Sequence, residues 1–136
     1  MKKRILYCLL PIVTLILELL PCGAVCTFSN PTGAPWRKTF SYFSLIPFGY
    51  ANVAPLLTAL VTCGVLLLLA VYLFTGSRRV LTGTAVTLGV GTVLSLGPLY
   101  FGWHNFSAVG GLITLTLLAE LCLLLLAARP RTPAAE

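Results

Sequence analysis

Four long apolar blocks constrain the fold of this chain more than any other feature. They run over about residues 5–20, 55–74, 80–100 and 107–127. As helices rising ~1.5 Å per residue, they cross or nearly cross the ~30 Å hydrocarbon core of a bilayer. Hydrocarbon leaves backbone N–H and C=O groups no partner outside the segment, so blocks of this length are read as helices. Composition agrees: 58% of the residues are hydrophobic, 9% are charged and the mean hydropathy is +0.99. A soluble domain carries roughly a quarter of its residues as charged side chains. The expected fold is all-α, one membrane domain over residues 1–136 in which four transmembrane helices form a bundle.

The net charge of +6 could point to nucleic acid, but its placement points to the membrane instead. Lys2, Lys3 and Arg4 precede the first block, Arg78 and Arg79 separate the second and third, and Arg129 and Arg131 follow the fourth. Only Arg37 and Lys38 fall on the other side of a four-pass topology. This positive-inside pattern places both termini in the cytoplasm of a multi-pass cell-membrane protein. A cleaved signal peptide is the rival reading, with Met1–Arg4 as its basic region and Cys22-Gly23-Ala24 as a loose cleavage site. Glu18 would interrupt its apolar region and Pro21 would crowd the cut, so the amino end is expected to be retained.

The connections differ in character. Thr75–Arg79 and Phe101–Phe106 are short, which makes the last three helices antiparallel neighbours. Gly76 suits a helix C-terminus, Pro98 and Gly102 end the third helix, and Asn105 or Ser107 caps the fourth. Pro55 is expected in the first turn of the second helix. The first connection, about residues 21–54, is an outer loop with a turn at Asn30-Pro31-Thr32-Gly33. All aromatic residues except Tyr7, Tyr72 and Phe74 fall on that outer side. An ordered, aromatic-rich loop lying on the headgroups follows, with Trp36, Arg37, Lys38, Trp103 and His104 as its candidate interface. Trp36, Phe40 and Phe43 share a helical face, as an interfacial helix would need, while β-prone Thr39–Phe43 suits an extended strand equally well.

Within this region, the segment SYFSLIPFGYANVAP, residues 41–55, resembles segments of small, uncharacterised four-span bacterial membrane proteins. The resemblance implies the same topology; that family carries no assigned activity, so it implies no mechanism.

Two carboxylates stand inside the blocks. Tyr7, Pro11, Thr14, Glu18 and Cys22 fall on one face of the first helix. Asn52, Pro55, Thr58, Ala59 and Thr62 form a matching stripe on the second, and Thr116 precedes Glu120 by one turn on the fourth. A carboxyl group in hydrocarbon is expensive and marks a functional candidate. It is carried either protonated on a threonine or backbone carbonyl, or paired with a cation. Arg37, Lys38 and His104 are within sequence reach of Glu18. A depth separation of about 10 Å sets the two glutamates too far apart for one shared proton or metal. Small residues mark candidate helix packing: Gly83, Thr87, Gly91 and Ser95 on one face of the third helix, Ala85, Gly89 and Gly97 opposite, and Gly111 on the fourth.

Enzymatic chemistry has little to work with. Cys22 and Cys26 face the oxidising side, but membrane thiol oxidoreductases use Cys-x-x-Cys pairs plus a second pair, and neither occurs here. Cys8, Cys63 and Cys122 read as packing residues. The chain has one histidine, no aspartate, no phosphate loop and no metal-ligand spacing, so no cofactor or metal is expected. The reading is a non-enzymatic accessory, assembly or interaction protein, with membrane lipids and another membrane protein or a second copy as partners. The alternative is a small ion-coupled transporter using Glu18, with a thiol oxidoreductase third. Small multidrug transporters likewise carry a glutamate in the first of four helices, but lack a long first loop.

Overall fold

The computed structural model describes residues 2–45, 50–100 and 102–128, with only the backbone described for residues 2–4 and 50–52. The Asn52 side chain, Phe48, Phe101, Arg129 and Arg131 therefore lie outside the described residues. The elements are α1 (Lys2–Leu19), β1 (Ala24–Phe28), β2 (Trp36–Phe40), α2 (Tyr50–Thr75), α3 (Arg78–Ser95), α4 (Gly97–Tyr100), a 3-10 turn (Trp103–Asn105) and α5 (Ala108–Ala128). Three stretches are long and apolar enough to cross a membrane: Val53–Thr75, Arg78–Tyr100 and Ala108–Ala128. The apolar part of α1, Ile5–Leu19, is shorter.

α2 and α5 each pack against both α1 and α3. Ala59, Val65, Leu69, Leu81, Leu88, Ile113, Leu117 and Leu124 fill the space between them. Large apolar side chains also cover the outside, where Leu67 is 70% and Val86 65% exposed. Such a surface suits lipid, not water.

Local chemistry sets most helix ends. α2 stops where Gly76 takes φ 61° and donates its N–H to the Tyr72 carbonyl at 2.8 Å. Ser107, not Asn105, caps α5: its hydroxyl accepts the Gly110 N–H at 2.8 Å. Pro55 is a correction, because α2 begins at Tyr50 and places this proline in its second turn, buried. The lost N–H bond falls near the helix end, where a proline disturbs least. The third apolar block breaks at Leu96, between α3 and α4.

The described residues are mostly helical, and the connection after α1 is the exception. It contains an antiparallel hairpin in register Ala24↔Phe40, Val25↔Thr39, Cys26↔Lys38, Thr27↔Arg37 and Phe28↔Trp36. The Asn30–Gly33 turn closes with Gly33 N–H donating to Asn30 O at 3.4 Å, and the Asn30 Oδ1 accepts the Thr32 N–H at 3.3 Å. Phe28 and Trp36 stack at 4.6 Å between ring centroids. Trp36–Phe40 is thus strand, and the interfacial helix is not formed. β1 is the attached strand, with Ala24, Val25 and Cys26 buried and Thr27 Oγ1 bonded to Asn105 Oδ1 at 2.9 Å. β2 is exposed from Trp36 to Thr39.

The small-residue rows divide. A Cβ on Gly91 would lie 2.8 Å from Val61 Cγ1, so Gly91 does admit close approach of α2 and α3. Ser95 is buried and half-buried Thr87 donates to Gly83 O at 3.0 Å. Gly83 is exposed with nothing within 4 Å of its Cβ position, and Gly89, opposite, meets nothing either. Gly97 faces Ala54, and Gly111 meets only the edge of Phe106. A period of four marks a helix face without saying which part of that face has a neighbour.

Candidate functional site

A sealed polar seam runs between α1, α2 and α5. On α1, Pro11, Thr14 and Glu18 recur at helical spacing and all are buried, with Tyr7 half-buried below them. Cys22 does not extend this face: α1 ends at Leu19, and Cys22 lies exposed in the turn beyond. Pro21 cannot supply the N–H that another helical turn would need. On α2, Pro55, Thr58, Ala59 and Thr62 are buried. On α5, half-buried Thr116 precedes buried Glu120.

Glu18 is 0% exposed, and its Oε1 accepts the Thr62 hydroxyl at 2.8 Å. The same hydroxyl lies 3.1 Å from the Thr58 carbonyl, and Thr58 Oγ1 donates to Ala54 O at 2.9 Å. Arg37, Lys38 and His104, the candidate partners within sequence reach, are instead exposed on β2 and the 3-10 turn. For Arg37 and Lys38, following Glu18 inward would cost the hydration of a charged side chain. Glu18 Oε2 has no hydrogen-bond partner among the described residues.

The seam is closed at the hairpin end by Tyr42, which is 1% exposed. Its N–H donates to the Glu18 carbonyl at 3.0 Å. Its ring lies against Gly23, where a Cβ would sit 2.9 Å from Cδ1, and its Oη lies near Gly110. Burial pushes the Tyr42 phenol above its ordinary range, and nearby Glu18 adds to the shift. Ser107 joins the same closure by donating its hydroxyl to Gly23 O. Tyr42 stands out in no sequence pattern: Ser41-Tyr42-Phe43-Ser44 reads as one aromatic among several.

Further along, Thr14 Oγ1 donates to Thr116 Oγ1 at 2.8 Å, which fixes the register of α1 against α5. Glu18 lies one turn from this bond on α1 and Glu120 one turn from it on α5. Because the helices are antiparallel, the glutamates point to opposite ends, separated along the seam by about 12 Å. Glu120 is 1% exposed, and neither of its oxygens has a hydrogen-bond partner among the described residues. A protonated carboxyl would need an acceptor there and an ionised one would need donors; the described residues offer neither.

Two cysteines adjoin the carboxyls, Cys63 near Glu18 and Cys8 near Glu120. All five cysteines are thiols; Cys22 is exposed and Cys26 buried in β1. Cys122 is exposed on α5, which corrects its reading as a packing residue. Among the described residues no three His, Cys, Asp or Glu side chains are grouped to hold a metal ion.

At the end opposite the hairpin, a cavity of about 440 Å³ opens among α1, α2, α3 and α5, walled by Tyr7, Tyr72, Gly76, Arg78, Leu81 and Leu126. Neither glutamate lines it. Comparison with protein families, with characterised proteins and with solved structures returned no match for this chain.

Proposed function

We propose that the chain is a four-span protein of the cell membrane, with both termini cytoplasmic, that serves as a non-enzymatic accessory or assembly protein. α1 acts as the fourth span. Its Ile5–Leu19 stretch covers about 22 Å, and the basic run Lys2–Arg4 precedes it in the sequence. The hairpin then faces the outside. It is the single observation that carries the reading, because its two strands are treated so differently. β1 is buried over its first three residues and tied to the bundle, whereas β2 offers Trp36, Arg37 and Lys38 on the open edge of a two-stranded sheet. A fixed edge strand of this kind suits strand addition by an outer segment of another membrane protein. Placing a photo-crosslinking residue at Lys38 in native membranes tests this. One adduct, lost on combining Trp36→Ala with Arg37→Ala, is the expected result; adducts to lipid alone would remove the reading.

A second reading, an ion-coupled carrier using Glu18, is favoured by three buried carboxyl oxygens, Glu18 Oε2 and both of Glu120, that lack partners among the described residues. Against it stands the closure of the seam, since the cavity at the far end is lined by neither glutamate. The two readings separate on proton release when candidate cations are added to purified protein. Release from the wild type and none from Glu18→Gln would replace the accessory reading with the carrier.

A further inference from the structure

We propose that the cavity at the end opposite the hairpin is a binding site for a phosphate-bearing anion, centred on Arg78. This inference stands apart from the role of the hairpin. All four long helices contribute to the cavity, which at about 440 Å³ has the size of a small-molecule site and a mainly polar wall. Arg78 brings the guanidinium fork that matches phosphate oxygens bidentately, and Tyr7 and Tyr72 line the same cavity.

The backbone adds to this. The Gly76 turn, with φ 61°, delivers Arg78 as the first residue of the 18-residue α3. Ser77 precedes it without a side-chain cap, and the first N–H groups of a helix have no intrahelical partner. The positive end of the helix dipole therefore points to the same place as the guanidinium. Charge reinforces the geometry. Lys2, Lys3 and Arg4 start α1 at this end and Arg79 follows Arg78, while Glu18 and Glu120 are buried away from the cavity. A cationic pocket whose lining holds no carboxylate among the described residues prefers an anion. Leu81 and Leu126 give it an apolar side as well. Phosphate in this position comes either from an anionic lipid headgroup or from a soluble phosphate.

The test uses the full chain in detergent and in nanodiscs, as wild type, Arg78→Gln, Arg79→Gln and Tyr7→Phe. Arg79 is the control, since its loss removes the same charge from a residue that does not line the cavity. One arm measures retention of phosphatidylglycerol against phosphatidylcholine by native mass spectrometry; the other measures binding of inorganic phosphate by calorimetry. Equal thermal transitions for all four proteins exclude loss of fold as the cause of any difference. Binding in either arm that falls at least tenfold in Arg78→Gln, severalfold in Tyr7→Phe and less than twofold in Arg79→Gln supports the site, and the responding arm names the source. Equal losses for both arginines would reduce it to diffuse surface charge, and no wild-type binding in either arm would overturn it.

Discussion

Replacing Glu120 with leucine should make the protein more stable. The carboxyl group is 1% exposed between the helices, and both oxygens lack a hydrogen-bond partner among the described residues. A buried polar group left unsatisfied costs about 1–3 kcal/mol, and an apolar side chain of similar volume removes that cost without opening a cavity. Leu117 and Leu124, buried one turn either side, already provide the matching surface. The expected gain is about 1–3 kcal/mol, towards the lower figure because polar contacts inside membrane proteins average only ~0.6 kcal/mol. Glu18→Leu is the internal comparison. It discards the 2.8 Å bond from Thr62, although Thr62 keeps the Thr58 carbonyl at 3.1 Å, and it also removes the partnerless Oε2. These effects oppose each other, so Glu18→Leu should fall within about 1 kcal/mol of the wild type. Equilibrium unfolding in mixed micelles with rising dodecyl sulfate measures both. A loss of more than about 1 kcal/mol for Glu120→Leu would refute the reasoning, since the carboxyl would then have a partner that its described surroundings do not contain.

Other perturbations probe packing, closure and topology. Gly97→Ala places a Cβ 2.6 Å from the Ala54 Cβ, which sits rigidly on its backbone, and should cost about 1–3 kcal/mol; Gly83→Ala meets open space and should be neutral or up to about 1 kcal/mol stabilising in the same assay. Tyr42→Ala empties a site that is 1% exposed and should cost about 3–5 kcal/mol by the rule for aromatic truncation, with faster amide exchange across β1 and β2 as its structural trace. Maleimide should label Cys22 in the folded protein and reach Cys26, 6% exposed, only after denaturation; equal labelling would mean that the hairpin base is open. Reporter fusions after Leu20, Phe74, Tyr100 and Glu136 should read outside, inside, outside and inside, and an external carboxyl terminus would reverse the proposed orientation.

The helices were legible because length and apolarity act locally. Blocks expected at 55–74 and 107–127 became Tyr50–Thr75 and Ala108–Ala128, with Gly76 and Ser107 in their capping roles. The first block was equally visible, yet its apolar part is the shortest of the four. The hairpin was not legible. Trp36 and Phe40 are four apart, which suits a helix, while Trp36, Lys38 and Phe40 alternate, which suits a strand. The choice falls to Ala24–Phe28, a partner hidden in what reads as the ragged end of a membrane helix. Strand pairing is non-local, so five residues inspected alone cannot settle it. The same limit applies to small residues. Gly83 and Gly91 share a face at equal spacing, but only Gly91 meets a side chain, Val61 on another helix.

Why a carboxylate should stand near the end of α1 can be argued from both halves of residue 18. Helices leave their last four carbonyls without intrahelical donors, and Glu18 is one residue from the end of α1. Its carbonyl is satisfied from outside the helix, by the Tyr42 N–H that follows the hairpin. Its side chain turns the other way and takes the Thr62 hydroxyl from α2. One residue therefore ties three parts of the chain, and an apolar side chain could supply only the backbone half. Glutamine would supply both, with its Oε1 accepting from Thr62, so retention of charge is not what the tie requires. The seam and the hairpin are in this sense one construction. The Glu18 carbonyl anchors the Tyr42 backbone just after β2, and β2 is the edge on which the proposed interaction depends.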